Sequence, residues 1–195
     1  GLFIRMAWHS AGTYRISDIV LGVMSNPFYR DMGFTKDEVA AVSGVYGVLM
    51  TLAGAALGGV LALRYGVLRI LMLGAALSAL TNLLFAWLAT RGHDLPALVF
   101  AISADNLSAG IASAAFVAYL SGLTNVAYSA TQYALFSSVM LLLPKFVGGW
   151  SGWAVDSFGY PAFFIGTAAL GVPVLLLVWL ASRLAARPPA PAGGA

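Results

Sequence analysis

The sequence predicts an all-α, polytopic membrane protein of six transmembrane helices, on three observations. Of 195 residues, 61% are hydrophobic and only 9% charged, and the mean hydropathy is +0.89, whereas soluble domains carry about 25% charged residues. The uncharged residues fall into runs long enough to cross a bilayer, which takes about 20 apolar residues in a helix. Small residues recur inside those runs at helical intervals, the pattern by which helices pack against one another in lipid.

The first segment, "TYRISDIVLGVMSNPFY" from Thr13 to Tyr29, is apolar but carries Arg15 and Asp18. A span this polar requires its charges to face protein or water. Arg15, Asp18, Gly22 and Ser25 recur on one helical face, and Arg15 and Asp18 are spaced to pair with each other.

Val39 to Leu63 then gives 25 uncharged residues, with Gly44, Gly47, Thr51, Gly54 and Gly58 forming a smooth stripe for close helix contact. "GGVLALRYGVLR" follows, with Gly58 and Gly59 at the helix end and Arg64, Gly66 and Arg69 in a turn that reverses the chain. Ile70 to Thr90 supplies 21 uncharged residues for the third span.

Between Asn106 and Pro144 lie 39 uncharged residues, too many for one span. The polar stretch "SGLTNVAYSAT" divides them into helices of about Pro96 to Leu120 and Thr131 to Ala154. Gly148 and Gly152 give the fifth helix its own small-residue contact. The sixth span is the 26-residue run Ser157 to Ser182, and the Pro, Ala and Gly composition of residues 184–195 predicts a disordered cytoplasmic tail.

Charge sets the expected orientation. With both termini cytoplasmic, the inner segments hold Arg5, Arg64, Arg69, Arg183 and Arg187, and the outer loops hold Arg30, Lys36 and Arg91, a modest positive-inside bias. His93, beside Asp94 in an outer loop, is expected to be solvated. Ten Lys and Arg residues spread over the whole chain form no basic cluster, which argues against nucleic acid as a partner. The absence of Cys excludes a thiolate nucleophile or zinc–thiolate site, and no metal site is expected.

In a membrane an ionisable side chain is a functional candidate by default, because keeping it there costs a few kcal/mol. Arg15, Asp18, Asp105 and Lys145 qualify. Asp105 and the adjoining Asn106 fall near the middle of the fourth helix, where the carboxylate serves proton coupling or the binding of substrate hydroxyls, or else braces a neighbouring helix. Lys145, after Pro144, is placed either to meet an anionic substrate or to snorkel to the interface. Asn26, Tyr128, Gln132 and Tyr133 form a polar and aromatic set suited to hydrogen bonding and stacking on a substrate.

Four stretches carry a family resemblance. The Gly58–Arg69 loop is similar to the short basic cytoplasmic loop of the major facilitator superfamily, with Leu63 where the fullest form of that motif has an acid. "YRISDIVLGVMSNPFYRDMGFTKDEVAAVS", "DNLSAGIASAAFVAYL" and "YSATQYALFSSV" resemble the C-terminal half of AmpG-type muropeptide permeases over residues 14–183. The resemblance implies six helices forming one half of a major facilitator fold, with no enzymatic activity and no cofactor. It also implies proton-coupled import of anhydro-muropeptides across the bacterial inner membrane, in partnership with a missing N-terminal half or a second copy. Another substrate of the superfamily, or a membrane fragment unable to transport, are the alternatives.

Residues 1–13 read as a foreign segment. "LFIRMAWHSAGTYR" resembles the distal haem-pocket segment of bacterial catalase-peroxidases, with Arg5, Trp8 and His9 on the residues that assist peroxide cleavage there. A haem peroxidase also needs a proximal His on iron. His93, in "TRGHDLP", does not resemble that motif, so peroxidase activity is not expected.

Overall fold

The computed structural model describes residues 16–123 and 148–185, with helical positions at 131, 134, 135, 138, 142, 145 and 146. Every regular element among the described residues is helical. Helix α1 covers Ile16–Asp31. Helix α2 runs Lys36–Tyr65, α-helical over Lys36–Ala41 and Val48–Tyr65 with a π-helical turn at Val42–Gly47 between them. Helices α3 (Val67–Leu88) and α4 (Leu95–Leu123) follow, and α5 spans Ser151–Ala185.

Local chemistry fixes the boundaries. Thr35 starts α2 through a reciprocal capping box, its hydroxyl oxygen accepting from the Glu38 amide at 3.2 Å while its own amide donates to Glu38 Oε2 at 2.8 Å. Gly66, at φ 93°, is the single residue separating α2 from α3, a conformation that a side chain would strain. Asp94 caps α4 by accepting from the Ala97 amide at 3.1 Å.

Helices α2, α3 and α4 are long and apolar enough to cross a membrane, in agreement with the second, third and fourth predicted spans. Helix α1 has 16 residues and contains Pro27. The fifth predicted helix, Thr131 to Ala154, needs correction at its end: a turn at Gly149–Trp150 interrupts it before helix resumes at Ser151. The sixth also begins later than the run from Ser157 suggests, because Gly159, at φ 77°, breaks α5 and a new helix starts at Tyr160. Freedom from charge marks what lipid accepts; it does not mark where backbone turns, and both breaks fall at glycines inside uncharged sequence.

The chain zigzags. Residues 32–35, 90–94 and 159–160 meet at one end, joined by a 3.2 Å contact between His93 Nε2 and Glu38 Oε2 and a 2.6 Å hydrogen bond from the Tyr160 hydroxyl to Asp31 Oδ2. The Gly66 turn lies at the other end of α2. Following the charge bias, the first end is termed outer and the Gly66 end inner.

Helix α2 packs mainly on α4, α3 on both α4 and α5, and α1 on α5. At the α2–α4 seam a Cβ on Gly54 would run into the Leu107 carbonyl, one on Gly58 would lie 2.8 Å from the Ile111 Cα, and one on Gly110 would strike the α2 backbone. The predicted glycine stripe is therefore a backbone contact at Gly54 and Gly58, a contact with the Asn106 side chain at Gly47, and open at Gly44, which has no neighbour within 4 Å. A Cβ on Gly148 would sit 3.2 Å from Val23, so this glycine gives α1 a close approach.

Two apolar clusters flank the seam. The inner one joins α2, α3 and α4 through residues such as Leu71, Ala115 and Phe116. The outer one is aromatic: Phe28 is fully buried, with the Phe85 ring at 6.2 Å, Tyr160 at 5.0 Å and Phe164 at 5.0 Å. Helix α2 buries 22% of its most apolar window against 50% for α3, leaving Leu49, Leu52 and Leu63 facing outward. An outward face this apolar suits lipid or a further protein surface.

Candidate functional site

Asp105 and Asn106 lie within α4, half-buried, and two other helices hold them. The Thr81 hydroxyl on α3 lies 3.0 Å from Asp105 Oδ1 and 2.9 Å from the Ser78 carbonyl. The Thr51 hydroxyl on α2 lies 3.0 Å from Asn106 Oδ1 and 2.8 Å from the Gly47 carbonyl, while Asn106 Nδ2 donates to the Ile102 carbonyl at 2.8 Å. Each threonine has one proton and two acceptors within reach, so its bond can pass between its own helix and α4.

Gly47 makes this approach possible. A Cβ there would stand 3.4 Å from the Asn106 amide, and Gly47 is also the last residue of the π-helical turn. Wider π-helical turns of this kind occur frequently at functional sites. Around the pair the bundle interior is polar for a membrane core. Ser78, Thr81, Asn82 and Ser108 are all buried, and among the described residues Asn82 Nδ2 and Ser108 Oγ have no hydrogen-bond partner.

The other candidates scatter. Asn26 is exposed near the outer end of α1, in a cleft of about 730 Å³ that reaches Ser43 on α2. The exposed residues Gly22 and Val23 precede it, so this part of α1 turns a face away from the bundle. Lys145 is exposed and lies at the last turn before the Gly149–Trp150 break, so it stands near a helix end and not at mid-helix. Asp18 belongs to α1. Arg15, Tyr128, Gln132 and Tyr133 lie outside the described residues, as do residues 1–13 with the peroxidase-like segment.

In the inner loop Gly58 packs against α4, Gly59 has no neighbour within 4 Å, and Arg64 stacks over the Tyr65 ring at 5.5 Å. Arg64 and Arg69 are exposed on either side of Gly66. The structure therefore brings Asp105 and Asn106 together with Thr51 and Thr81, and leaves Asn26, Lys145 and the inner loop as separate features.

At the outer end His93 is exposed, as expected, and in addition pairs with Glu38 at 3.2 Å, with its ring 4.8 Å from the Phe34 ring. Glu38 precedes the uncharged run that starts at Val39, and hydrogen bonds from Thr35, then from His93, hold its carboxyl below the usual carboxylate range. Among the described residues no three His, Asp or Glu side chains converge as a metal site would require.

Comparison with known proteins agrees with a transport role for such a bundle. The sequence matches the Major Facilitator Superfamily over residues 10–195. It is 35% identical to the Putative transporter AmpG 4 of Rickettsia conorii over 165 residues, covering 85% of this chain and 40% of that protein. It is 32% identical to the Anhydromuropeptide permease of Escherichia coli over 166 residues, covering 85% of this chain and 34% of that protein. The chain thus spans well under half the length of these relatives. With three helices long and apolar enough to cross a membrane, a glycine-packed seam and a family match across nearly all of its length, the chain belongs to the Major Facilitator Superfamily.

Proposed function

We propose that this chain forms a six-helix half of a proton-coupled importer of anhydro-muropeptides in the bacterial inner membrane, and that Asp105 is the proton-coupling group. The observation that carries the reading is a carboxylate at the centre of an apolar α4, held by the hydroxyl of Thr81 on α3. Such a group is expensive in a membrane and needs a functional reason. Similarity to a protein named Anhydromuropeptide permease supports the substrate class.

The geometry supplies a way for a proton to act. When Asp105 is ionised, its charge strengthens the bond from Thr81. Protonation removes that advantage, and the hydroxyl can return to the Ser78 carbonyl 2.9 Å away on its own helix. Protonation thus exchanges the Thr81 donor at Asp105 for an acid O–H on Asp105 itself, so the polarity of the α3–α4 contact changes with the proton. Asn106, tied to α2 through Thr51, is one residue away along the same helix, so α2 and α3 both touch the element that carries the proton. A partner half, from the same polypeptide or another chain, would complete the substrate cavity between the halves.

The test is uptake of a radiolabelled anhydro-disaccharide in permease-deficient cells by this chain joined to a permease N-terminal half, with and without Asp105→Asn. Proton-driven uptake is expected in the joined parent and not in the variant, with both present in the membrane. Unchanged uptake in the variant removes Asp105 from the mechanism, and no uptake in the joined parent identifies a transport-incompetent fragment.

A further inference from the structure

We infer that the cleft between the outer ends of α1 and α2 is a binding site for the carboxylate of an acidic sugar, with Arg30 and Lys36 as its anion-binding groups. The inference rests on the transport reading for its substrate class, but its argument is electrostatic and local.

Among the described residues, the charged lining of the cleft, about 730 Å³, is cationic: Arg30 from the end of α1 and Lys36 from the start of α2. The sequence around it does not predict this. Arg30 is followed by Asp31, and Lys36 by Asp37 and Glu38, so on sequence alone the charges nearly cancel. In the fold two of the acids are engaged by other groups. Asp31 is taken by the Tyr160 hydroxyl at 2.6 Å, across the bundle on α5. Glu38 is taken by Thr35 at 2.8 Å and by His93 at 3.2 Å, and none of these three acids lines the cleft. Among the described residues, Arg30 and Lys36 form no ion pair.

Topology makes the cations harder to explain as surface charge. Lys and Arg are disfavoured in loops that face away from the cytoplasm. On the sequence-based orientation both lie at that outer end, and each stands within two residues of an acid whose charge is directed elsewhere. A guanidinium and an ammonium converging on one cleft suit a carboxylate, the first by a bidentate fork and the second as a point charge. The remaining lining suits the rest of a sugar acid: Asn26 and Ser43 offer hydrogen bonds, and Tyr29 and Phe34 close the cleft with aromatic surface.

The site also touches the proposed transport machinery. Its wall includes Ser43 in the π-helical turn, whose other end, Gly47, contacts Asn106. The Ser43 part of the wall therefore lies one turn of helix from the Gly47–Asn106 contact.

The experiment is calorimetric titration of the full chain in lipid nanodiscs with N-acetylmuramic acid and, separately, with neutral N-acetylglucosamine. The parent is expected to prefer the acid, and Arg30→Gln with Lys36→Gln to lose at least about tenfold in affinity for it, the size of a lost charge-assisted hydrogen bond. Arg30→Lys, which retains the charge, should lie between, and shows that loss is not misfolding. Equal affinity of parent and double variant, or no preference for the acid over the neutral sugar, overturns the site. Acid binding that survives while the joined protein transports nothing supports the site and sinks the transport reading instead.

Discussion

Along the α2–α4 seam two backbones meet over Gly54, Gly58 and Gly110, whereas at the outer end Phe28 is enclosed by the rings of Phe85, Tyr160 and Phe164. Both contacts hold helices together, but by different physics. Between helices in lipid the hydrophobic effect contributes little, since acyl chains are as apolar as leucine. The seam therefore depends on backbone proximity and has no slack for an added atom. The aromatic cluster depends on filled volume, and fails when atoms are removed.

That difference ranks the consequences of mutation. Gly54→Leu drives a branched side chain into the Leu107 carbonyl and is expected to part α2 from α4, costing roughly 3 kcal/mol or more. Thermal unfolding in detergent followed by circular dichroism measures this, with Gly44→Leu as the control, since Gly44 has no neighbour within 4 Å. Equal melting of the two variants would refute the seam as the tighter contact. Phe28→Ala should cost about 3 kcal/mol through the cavity it leaves, and Phe28→Leu much less, because the cluster can partly repack.

Thr81→Val is milder for stability, at about 1 kcal/mol, because it removes one hydroxyl from a half-buried carboxylate. Its informative effect is on transport: without the Thr81 hydroxyl Asp105 loses its tie to α3, so proton-driven uptake in the joined protein is expected to fall. Unchanged uptake would show that Thr81 does not act on the proposed proton site. The smallest effect belongs to Glu38→Gln. Because the folded state holds the Glu38 carboxyl low, its contribution is present above the unfolded-state value and fades as pH falls through the folded one. The melting difference between parent and Glu38→Gln should therefore shrink on acidification into that window, and a difference that grows there would contradict the assignment.

Much of the fold was legible because lipid imposes a coarse rule. Uncharged runs of sufficient length located α2, α3 and α4, and the interval of the small residues located the seam on α2. Its partner on α4 was not evident, since Gly110 and Gly122, the glycines of that apolar helix, do not recur at the interval of a contact stripe. The glycine breaks at Gly149 and Gly159 were hidden for the opposite reason: the turns carry no charge.

Asp105 and Asn106 stood out by their polarity, but the hydroxyls that hold them did not. Thr81 is 24 residues from Asp105 and Thr51 is 55 from Asn106, and threonine in an apolar helix has no local signature. The Glu38–His93 pair, also 55 residues apart, was invisible for the same reason, and without it His93 reads as an ordinary loop residue. Long-range polar contacts depend on which helices become neighbours, and a pattern along one helix carries no record of that.

The π-helical turn at Val42–Gly47 has a mechanical consequence. It inserts an extra residue into a helix while keeping its backbone groups bonded, much as a dislocation inserts a half-plane into a crystal. A crystal deforms by letting such a defect glide, so that only the atoms near it rearrange at each step. Helix α2 can change the angular setting of its outer end in the same way, while its glycine-packed inner length stays locked to α4.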